Sequence, residues 1–476
     1  MPKYKKKDIP SLNFGVIHAA YGYPDGVSIV MKQIDGVLQN DMHVPVTNIH
    51  YLVGRSKISS KQVVKKEQFS DTYKTNKLMI RKFSKGYSED DILRIEKEIE
   101  KVVIQIDSFV KKRSIDVIIA HNTSHPVNFL YSVALSRYYA QKIAKKEKTP
   151  KYVLWWHDSH LERARFLHPH PSVESYLIQG VPGKYVEYIL FINSLQYKEA
   201  QKYFLKLDTS DSSFSHLIHS NHDVVYNTTS LYIKTFEDLI SSDNKTDVEH
   251  FFSIFNIKDF LASHETTFDR TLFCLQHTRV VPRKRIDFAL EYTFSLLHTL
   301  RKRKLYDSLY FLISGNDGDE GKRYSRYLKN LHKKLSEKYG IKNHFLIFAE
   351  DYDKKEIPFE DYPRIFAKLG GISTYFSEVE GFGNNLLEVL ASGLIPVVYT
   401  YPVFKSDIEK YKFKLIALDD FIVDVDSQLA IIDLLKSTRK RKIWVTKNLF
   451  ILQKKLNHRL IKRKLTRAII RKRVHV

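Results

Sequence analysis

The chain has 476 residues, 43% of them hydrophobic, and no low-complexity tract, which excludes a disordered protein and predicts two or three folded domains. No apolar run reaches the roughly 18 residues that a membrane-spanning helix needs, and the apolar stretch after the basic residues 1–7 is too short for a secretory signal. The net charge of +23 at pH 7 favours anionic partners.

Predicted strands alternate with predicted helices through the first half of the chain. The strands are predicted at 12–19, 46–53, 116–121, 151–156, 188–193 and 224–226, and the helices at 29–39, 89–111 and 127–145. The polar segment 56–74 is predicted to be a solvated loop. This alternation is typical of a mostly parallel, doubly wound sheet.

A glycine-containing loop follows the first predicted strand. It contains Gly22 and Gly26, and Ser28 is predicted to cap the helix that comes next. A strand, a loop with glycines and the start of a helix form a favourable environment for an anion. The spacing Gly22-x3-Gly26 differs from the G-x-G-x-x-G fingerprint of dinucleotide-binding proteins. Taken by itself the loop is more typical of an ordinary turn between a strand and a helix, and an anion site is the alternative.

Polar side chains stand at the carboxyl ends of two predicted strands. His121 and Asn122 end one strand, and His157 and Asp158 follow the next. Ligands of open parallel sheets bind beyond the carboxyl ends of the strands. We therefore predict that these side chains lie near a ligand, although a histidine with a purely structural role at a strand end remains the alternative for His157.

The histidines that follow the strand 151–156 raise the question of a metal site. These histidines are His157, His160, His168 and His170. A catalytic zinc helix would show the pattern His-Glu-x-x-His, and Pro169 and Pro171 interrupt any continuous helical face. We therefore predict no metal.

The second half of the chain repeats the pattern of alternating strands and helices. Strands are predicted at 271–276, 309–314, 344–348, 372–376, 395–399 and 414–418. The only cysteine, Cys274, lies in the first of them and is predicted to be a buried thiol, which fits a reducing cytosol. A second parallel sheet is therefore predicted, in a cytoplasmic protein.

A basic turn follows the strand 271–276. It contains Arg279 and Lys284 and precedes a helix that is predicted to reach residue 300. Two cations at the carboxyl end of a strand would neutralise a departing diphosphate as its charge develops. The alternative is a basic surface turn in a basic protein.

The stretch 371–400 combines a strand, a glycine loop, a helix and a further strand. The loop 377–383 contains Glu380, Gly381 and Gly383, and Glu388 lies two turns into the helix that follows. Glycines allow a ligand to approach the backbone closely, and the start of a helix suits a diphosphate. Carboxylates such as Glu380 and Glu388 accept hydrogen bonds from vicinal hydroxyls, which is how proteins commonly hold a sugar or a ribose.

The last 41 residues, 436–476, contain sixteen Lys or Arg residues and no Asp or Glu. An apolar stripe lies beneath these charges, at Leu456, Leu460, Ile461, Leu465, Ala468 and Ile469. The segment is therefore predicted to be an amphipathic helix. It either docks on a membrane surface or packs on its own protein with a solvated basic face.

The spacing Glu380-Gly-Phe-Gly-x4-Glu388, followed by Ala-Ser-Gly-x-x-Pro-Val-Val, resembles the E-x7-E motif of retaining glycosyltransferases of family 4 (group 1 glycosyltransferases). The resemblance implies an α/β protein with the GT-B fold, in which two Rossmann-like, doubly wound parallel-sheet domains face a central cleft. It implies an N-terminal acceptor-side domain at 1–227, a linker or insertion at 228–265, a nucleotide-sugar-binding domain at 266–435, and basic helices at 436–476 that cross back to the first domain.

The resemblance also implies roles for individual residues. The catalytic residues would be Glu380, Arg279, Lys284 and His157. The residues that bind the sugar donor would be Gly26, Gly315, Gly381, Phe382, Gly383, Asn384 and Glu388. Two departures from the family pattern Gly-Arg-x-x-x-x-Lys-Gly stand out, because Thr278 and Arg285 replace its glycines.

The implied reaction moves a hexose from a UDP- or GDP-sugar to an acceptor hydroxyl with retention of configuration. No cofactor or metal is expected, since no Asp-x-Asp motif follows a suitable strand. The positive charge favours an anionic acceptor, either a lipid head group or a phosphorylated small molecule. The enzyme is expected in the cytoplasm, with the inner face of the membrane as a further option through its basic C-terminus.

Two other classes of protein stay open. A phosphorylase-like enzyme would share the architecture and would need a pyridoxal lysine, which absorbance would reveal. A basic nucleic-acid-binding or membrane-binding protein without catalysis would account for the charge. No zinc finger, RRM or helix-turn-helix signature is found, so no specific nucleic acid is predicted.

Overall fold

The computed structural model describes residues 4–23, 26–219, 221–228, 235–237, 245–317, 322–354 and 356–471. The chain divides into two compact units. The first unit is formed by Met1–Asn227 and His458–Val476, and the second by Thr228–Asn457.

The first unit is built on a parallel sheet of seven strands in the order β3-β2-β1-β4-β5-β6-β7. The strands are β1 (Phe14–Tyr21), β2 (Ile49–Ser56), β3 (Val63–Lys65), β4 (Val117–His121), β5 (Lys151–Trp156), β6 (Tyr188–Phe191) and β7 (His222–Val224). The order reverses direction between β1 and β4, which creates a topological switch point at that place in the sheet.

Helices cover both faces of this sheet. The helices are α1 (Gly26–Gly36), α2 (Lys74–Arg81), α3 (Glu89–Lys112), α4 (Phe129–Ala144), α5 (Pro171–Gly180), α6 (Ser194–Asp208) and α7 (Ser215–His219). Successive strand residues point to opposite faces, so Val16 joins one hydrophobic core and Ile17 joins the other. Burial on both faces accounts for the nearly continuous apolar runs of the strands.

Two predictions for the first unit are wrong. The first concerns Ser28, which was expected to cap a helix and instead lies inside the first turn of α1, where it is buried. The second concerns the segment 56–74, predicted to be a solvated loop, which contributes β3 and the start of α2. Strand β3 has only three residues, too few for an alternating pattern to identify it.

The second unit is built on a parallel sheet of six strands in the order β10-β9-β8-β11-β12-β13. The strands are β8 (Thr271–Gln276), β9 (Ser308–Ile313), β10 (His344–Phe348), β11 (Ile372–Tyr375), β12 (Ile395–Tyr399) and β13 (Ile416–Leu418). Cys274 is fully buried in β8, as predicted. The order of this sheet reverses between β8 and β11, which places its switch point there.

Helices also cover both faces of the second sheet. These helices are α8 (Lys245–Ile254), α9 (Ile257–Ser263), α10 (Ile286–Lys302), α11 (Arg323–Tyr339), α12 (Ala349–Tyr352), α13 (Tyr362–Lys368), α14 (Asn384–Ala391), α15 (Val425–Lys436) and α16 (Thr438–Lys455). The segment 228–265 was expected to be a linker, but its helices α8 and α9 pack through Phe251 and Leu261 into the second core. Residues 229–234 and 238–244 of this segment lie outside the described residues.

The C-terminal helix α17 (His458–Ile470) belongs to the first unit. The change of unit was expected near residue 436 and occurs at His458, so α16 stays with the second unit. The apolar stripe of α17, which includes Leu465 and Ile469, is buried in the first core, and Lys464 pairs with the buried Asp223 at 2.5 Å. The stripe therefore packs on its own protein instead of docking on a membrane.

Among the described residues, no helix is long and apolar enough to cross a membrane.

Candidate functional site

The predicted donor-site residues of the second unit meet at the carboxyl edge of its sheet. Strands β8 and β11 are hydrogen-bonded neighbours, with Thr374 opposite Gln276. The turn that carries Arg279 and Lys284 leaves the end of β8, and the loop that carries Glu380 leaves the end of β11. Because the sheet order reverses between these two strands, their connections diverge and leave the crevice in which open α/β sheets bind ligands.

The turn after β8 holds its shape through an unusual backbone conformation. Residues Pro282–Lys284 form a single 3-10 turn, and Arg285 then adopts a left-handed conformation with φ of 48° before α10 begins. Arg285 replaces a glycine of the family pattern, and glycine is the residue that adopts this conformation without cost. The Arg285 guanidinium hydrogen-bonds Glu378 at 3.0 Å and lies 4.2 Å from the Phe421 ring, contacts that offset the strain.

The turn after β8 and the loop after β11 are joined directly, although about a hundred residues separate them in sequence. Lys284 forms an ion pair with Glu380. Arg283 adds a hydrogen bond from Nη1 to the carbonyl of Val379 at 2.6 Å and an ion pair with Glu380 at 3.4 Å. The backbone N–H of Glu378 donates to the Arg283 carbonyl at 2.9 Å. Two of the predicted catalytic residues are therefore in contact.

The ion pair between Glu380 and Lys284 is almost entirely buried, with side-chain exposures of 10% and 7%. Burial would raise the pKa of Glu380, but Lys284 and Arg283 outweigh it and lower that pKa to about 2. Burial, together with the nearby cations Arg283 and Arg279, lowers the pKa of Lys284 against the opposing effect of Glu380. Glu380 is therefore held as a carboxylate beside a cluster of cations.

Two buried tyrosines fix the glycine loop. The Tyr375 hydroxyl donates to Glu380 Oε1 at 3.0 Å, and the Tyr401 hydroxyl donates to the Phe382 carbonyl at 2.7 Å. Gly383 has φ of 109° and directly precedes α14. A Cβ atom at Gly383 would overlap Tyr401 Oη. The Phe382 side chain is buried, so any contact of this residue with a ligand falls to its backbone.

Glu388 lies on α14 beside His277, the residue that follows β8. His277 Nε2 is 3.1 Å from Glu388 Oε2, and His277 Nδ1 is 2.9 Å from the Ser314 hydroxyl. The Asn385 amide donates to the His277 carbonyl at 2.6 Å. These contacts join the ends of β8 and β9 to the first turns of α14.

Gly315 and Arg279 complete this edge of the second sheet. A Cβ atom at Gly315 would overlap the carbonyl of Thr278, so the glycine permits the close approach of the chain after β9 to the turn after β8. The side chain of Arg279 is exposed, and among the described residues its guanidinium has no ion pair. Arg279 is therefore a cation at the edge of the site that is available to an anionic ligand.

The remaining predicted site residues, Gly26 and His157, belong to the first unit. Gly26 is the first residue of α1, and nothing in the described structure lies within 4 Å of a Cβ atom built on it. His157 Nε2 is 2.9 Å from Nδ1 of the fully buried His121. Burial and the nearby His18 lower the pKa of His157 to about 3, so its imidazole is neutral at pH 7.

Asp35 is a buried carboxylate on α1, and its raised pKa can be tested by substitution. We expect Asp35→Asn to stabilise the protein at pH 7. Burial raises the pKa of Asp35 to about 6, against the opposing hydrogen bonds of Tyr51 and Tyr21. Ionising Asp35 therefore costs the folded state free energy that accumulates as pH rises from about 4 to about 6, and a neutral amide avoids this cost of about 3 kcal/mol at pH 7.

Urea unfolding at pH 7 and at pH 4 checks this expectation. At pH 4 the Asp35 carboxyl is protonated in the folded state and close to half protonated in the unfolded state, so most of the gain from Asp35→Asn should be lost there. A gain of equal size at both pH values would contradict the assignment of the raised pKa.

Sequence reasoning missed three residues of the site in the second unit. These residues are His277, Arg283 and Tyr375. His277 and Tyr375 lie at the carboxyl ends of strands, the criterion that selected His121 and His157, so the same criterion could have found them. Arg283 stands in the basic run 283–285, and the sequence does not show which of these side chains points towards Glu380.

The described part of the chain contains no group of three or more His, Cys, Asp or Glu side chains that could hold a metal ion. The four histidines that raised the question are split, since His157 and His160 are buried and His168 and His170 are exposed.

Two curated relatives with the same name are similar to this chain in sequence. The chain is 33% identical over 162 residues to a mannosylglucosylglycerate synthase of Thermotoga maritima, a match that covers 32% of this chain and only 34% of that relative. It is 25% identical over 421 residues to a mannosylglucosylglycerate synthase of Petrotoga mobilis, with 86% of each chain covered. No protein-family profile matches the chain.

The fold is similar to that of solved glycosyltransferases. One of them is an α,α-trehalose-phosphate synthase (UDP-forming) from Burkholderia xenovorans in complex with glucose-6-phosphate, with a TM-score of 0.58 and 10% identity over 96% of this chain and 99% of that one. At such low identity the likeness concerns the fold alone. The chain therefore has the GT-B fold, and the relatives and the motif that contains Glu380 and Glu388 support the predicted resemblance to the group 1 glycosyltransferases.

Proposed function

We propose that the protein transfers a hexose from a nucleoside-diphosphate sugar to an acceptor hydroxyl with retention of configuration. The observation that supports this proposal most strongly is the junction at the switch point of the second sheet. There a basic turn and a glycine loop are joined by the ion pair of Lys284 and Glu380, beside the start of α14. Diphosphates bind at such junctions of cations, glycine backbone and a helix start.

In this proposal, Arg279 and Lys284 stabilise the diphosphate as it leaves. Arg279 is exposed, and Lys284 is buried beside it, so one cation lies at the edge of the site and the other inside. Preorganised charges in a site shielded from water act strongly on developing charge, by several kcal/mol. A bound diphosphate would offer Lys284 a second anionic partner, and Glu380 would then accept hydrogen bonds from the hydroxyls of the sugar.

We assign the nucleoside end of the sugar donor to Glu388. One of its oxygens is engaged by His277, and the side chain is 11% exposed, so the other oxygen can accept the ribose hydroxyls. Gly315, Gly381, Phe382, Gly383 and Asn384 would line the pocket through backbone that approaches the ligand closely. Gly26 and His157 of the first unit are assigned to the sugar and the acceptor side on the family resemblance.

Retention is proposed to arise from attack on the same face from which the diphosphate departs. A double-displacement route would need a carboxylate nucleophile at the anomeric carbon. Glu380 is engaged by Lys284 and Arg283, so it is poorly suited to that role. Because these cations can carry the charge of the leaving group, we propose that the reaction needs no metal and no cofactor.

A small anionic acceptor agrees best with the available observations. The name of the relatives contains glycerate, which is an anion, and the net charge of +23 favours anions in general. A lipid head group is less well supported, because the apolar stripe of α17 is already buried in the first unit. We also propose a cytoplasmic location, since the buried free thiol of Cys274 suits a reducing compartment.

A panel of UDP-, GDP- and ADP-sugars tests the proposed function. We expect one of them to raise the melting temperature of the purified protein and to be consumed when glycerate, phosphoglycerate or their glucosides are supplied. NMR of the product should show the anomeric configuration of the sugar donor. If no member of the panel binds, the proposal fails, and absorbance of a pyridoxal group or retention on nucleic acid would identify the alternative classes.

A further inference from the structure

His277 is a fully buried polar residue for which the proposed chemistry has no role. It follows β8 directly, at the switch point of the second sheet, and its side chain is 0% exposed. Both ring nitrogens are nevertheless engaged, Nδ1 by the Ser314 hydroxyl at 2.9 Å and Nε2 by Glu388 Oε2 at 3.1 Å. A buried imidazole with a partner at each nitrogen has a defined orientation.

The direction of these hydrogen bonds follows from the chemistry of the partners. An ionised carboxylate can only accept, so Nε2 of His277 carries the hydrogen that is donated to Glu388. The Ser314 hydroxyl can then donate to Nδ1. The three side chains form a chain of donation that runs from Ser314 through His277 to Glu388 and fixes the tautomer of the ring.

The ring is also held in place by packing. It stacks on Phe359 with the ring centroids 4.0 Å apart and an angle of 18° between the planes. The backbone carbonyl of His277 accepts the Asn385 amide at 2.6 Å, which ties the residue to the first turn of α14. His277 is therefore held rigidly by its neighbours. Its hydrogen bond can orient the side chain of Glu388, which lies about one turn after Asn385 on α14.

The contact with His277 makes the two carboxylate oxygens of Glu388 different from each other. Oε2 receives the hydrogen bond from Nε2, whereas Oε1 takes no hydrogen bond from the described residues. A carboxylate free to rotate would present its oxygens in many directions, and holding one oxygen removes that freedom. Oε1 is left as the acceptor that a ligand hydroxyl can reach.

We propose that His277 is a positioning residue for nucleotide recognition, which orients Glu388 so that Oε1 accepts the ribose hydroxyls. This inference rests on the proposed function, because it takes the ligand of Glu388 to be the ribose of a nucleoside diphosphate. It predicts that removing the His277–Glu388 hydrogen bond weakens recognition of the ribose more than binding of the phosphates.

Two substitutions of similar size separate the contacts of His277. His277→Gln places an amide N–H near the position of Nε2 and can still donate to Glu388. His277→Asn reaches only the position of Nδ1, so it keeps the contact with Ser314 and loses the one with Glu388. Calorimetry then compares UDP, GDP and ADP with their 2′-deoxy and 3′-deoxy analogues on the wild type and on each variant.

We expect the wild type to bind the ribose form of the preferred nucleotide about tenfold more tightly than either deoxy form. His277→Asn should bring this ratio close to one, whereas His277→Gln should retain most of it. In a Glu388→Ala background, where the carboxylate is absent, His277→Asn should leave the ratio unchanged. A merely structural histidine would affect both nucleotide forms equally and would treat Asn and Gln alike.

The outcomes distinguish this inference from the proposed function. If the wild type binds none of UDP, GDP and ADP, the proposed function fails first. If it binds one of them without preferring the ribose form, or if His277→Asn retains the wild-type ratio, the inference is overturned. Should the His277 variants fail to fold, Ser314→Ala removes the far end of the chain of donation and should lower the ratio about threefold; an unchanged ratio there overturns the inference as well.

Discussion

Lys284→Ala is expected to lower the turnover of the nucleotide sugar by roughly tenfold or more, because it removes the buried cation proposed to stabilise the leaving diphosphate. The same change leaves Glu380, whose side chain is 10% exposed, with Arg283 as its one ion-pair partner among the described residues. Breaking one side of a buried ion pair costs about 3–5 kcal/mol of stability. Turnover with saturating sugar donor and urea unfolding measure the two effects separately.

A double variant separates the loss of stability from the loss of catalysis. Lys284→Ala combined with Glu380→Gln leaves no unpaired buried charge, so stability should largely return while turnover stays low. Lys329→Ala is a matched control, since the ion pair of Lys329 with Asp351 is 3.4 Å long and half exposed. That control should change stability by less than about 1 kcal/mol and turnover not at all. Unchanged turnover in Lys284→Ala would remove the proposed role of Lys284.

Gly383→Ala is expected to have the second large effect. The backbone of Gly383 has φ of 109°, a conformation that costs an alanine roughly 1–2 kcal/mol. The new methyl group would also overlap Tyr401 Oη, so the loop or the tyrosine must move. A displacement of about 1 Å at a catalytic loop can cost on the order of a hundredfold in rate, and we expect a loss of that size in turnover.

Two further variants identify the cause of the effect at Gly383. Gly340→Ala is the matched control, because Gly340 also has a positive φ, 62°, and has nothing within 4 Å of a built Cβ atom. It should lose about 1 kcal/mol of stability and keep full turnover. Tyr401→Phe combined with Gly383→Ala removes the overlapping oxygen and should recover part of the activity. Full activity of Gly383→Ala alone would show that the loop geometry is not needed.

The sequence predicted the sheets well because their strands are buried on both faces. The runs that form β5, β8, β10 and β12 were placed at their observed bounds, since continuous apolar residues leave few alternatives for a short segment. The edge strand β3 was missed because three half-buried residues carry no such signal. The pattern of apolar residues therefore identifies the central strands of a sheet and fails for a short strand at its edge.

The candidate site was predictable in its location and only partly in its contacts. The glycine loop and the basic turn could be recognised because each is a local motif that follows a strand. The contact of His277 with Glu388 joins residues 111 positions apart and depends on the register of two neighbouring strands. The left-handed conformation of Arg285 could not be predicted either, because an arginine rarely adopts it. Contacts of its side chain with Phe421 and Glu378 stabilise this conformation in the fold.

The segment 228–265 shows a different limit of sequence reasoning. Its polar and aromatic composition was interpreted as a linker, whereas Phe251, Phe255 and Leu261 are buried in the second core. Aromatic residues in a polar segment indicate burial only when the surface that they cover is known. That surface is formed by β8 and β9, which come later in the chain.

The proposed function depends on Arg279 and Lys284, which we propose bind the two phosphates of an activated sugar at the start of α14. Calorimetry that compares UDP or GDP with the corresponding monophosphate tests it most directly. We predict that the wild type binds the diphosphate at least about tenfold more tightly than the monophosphate, and that Arg279→Ala and Lys284→Ala each erase most of this difference. Equal affinities for the two nucleotides, or a difference that survives in both variants, would contradict the claim.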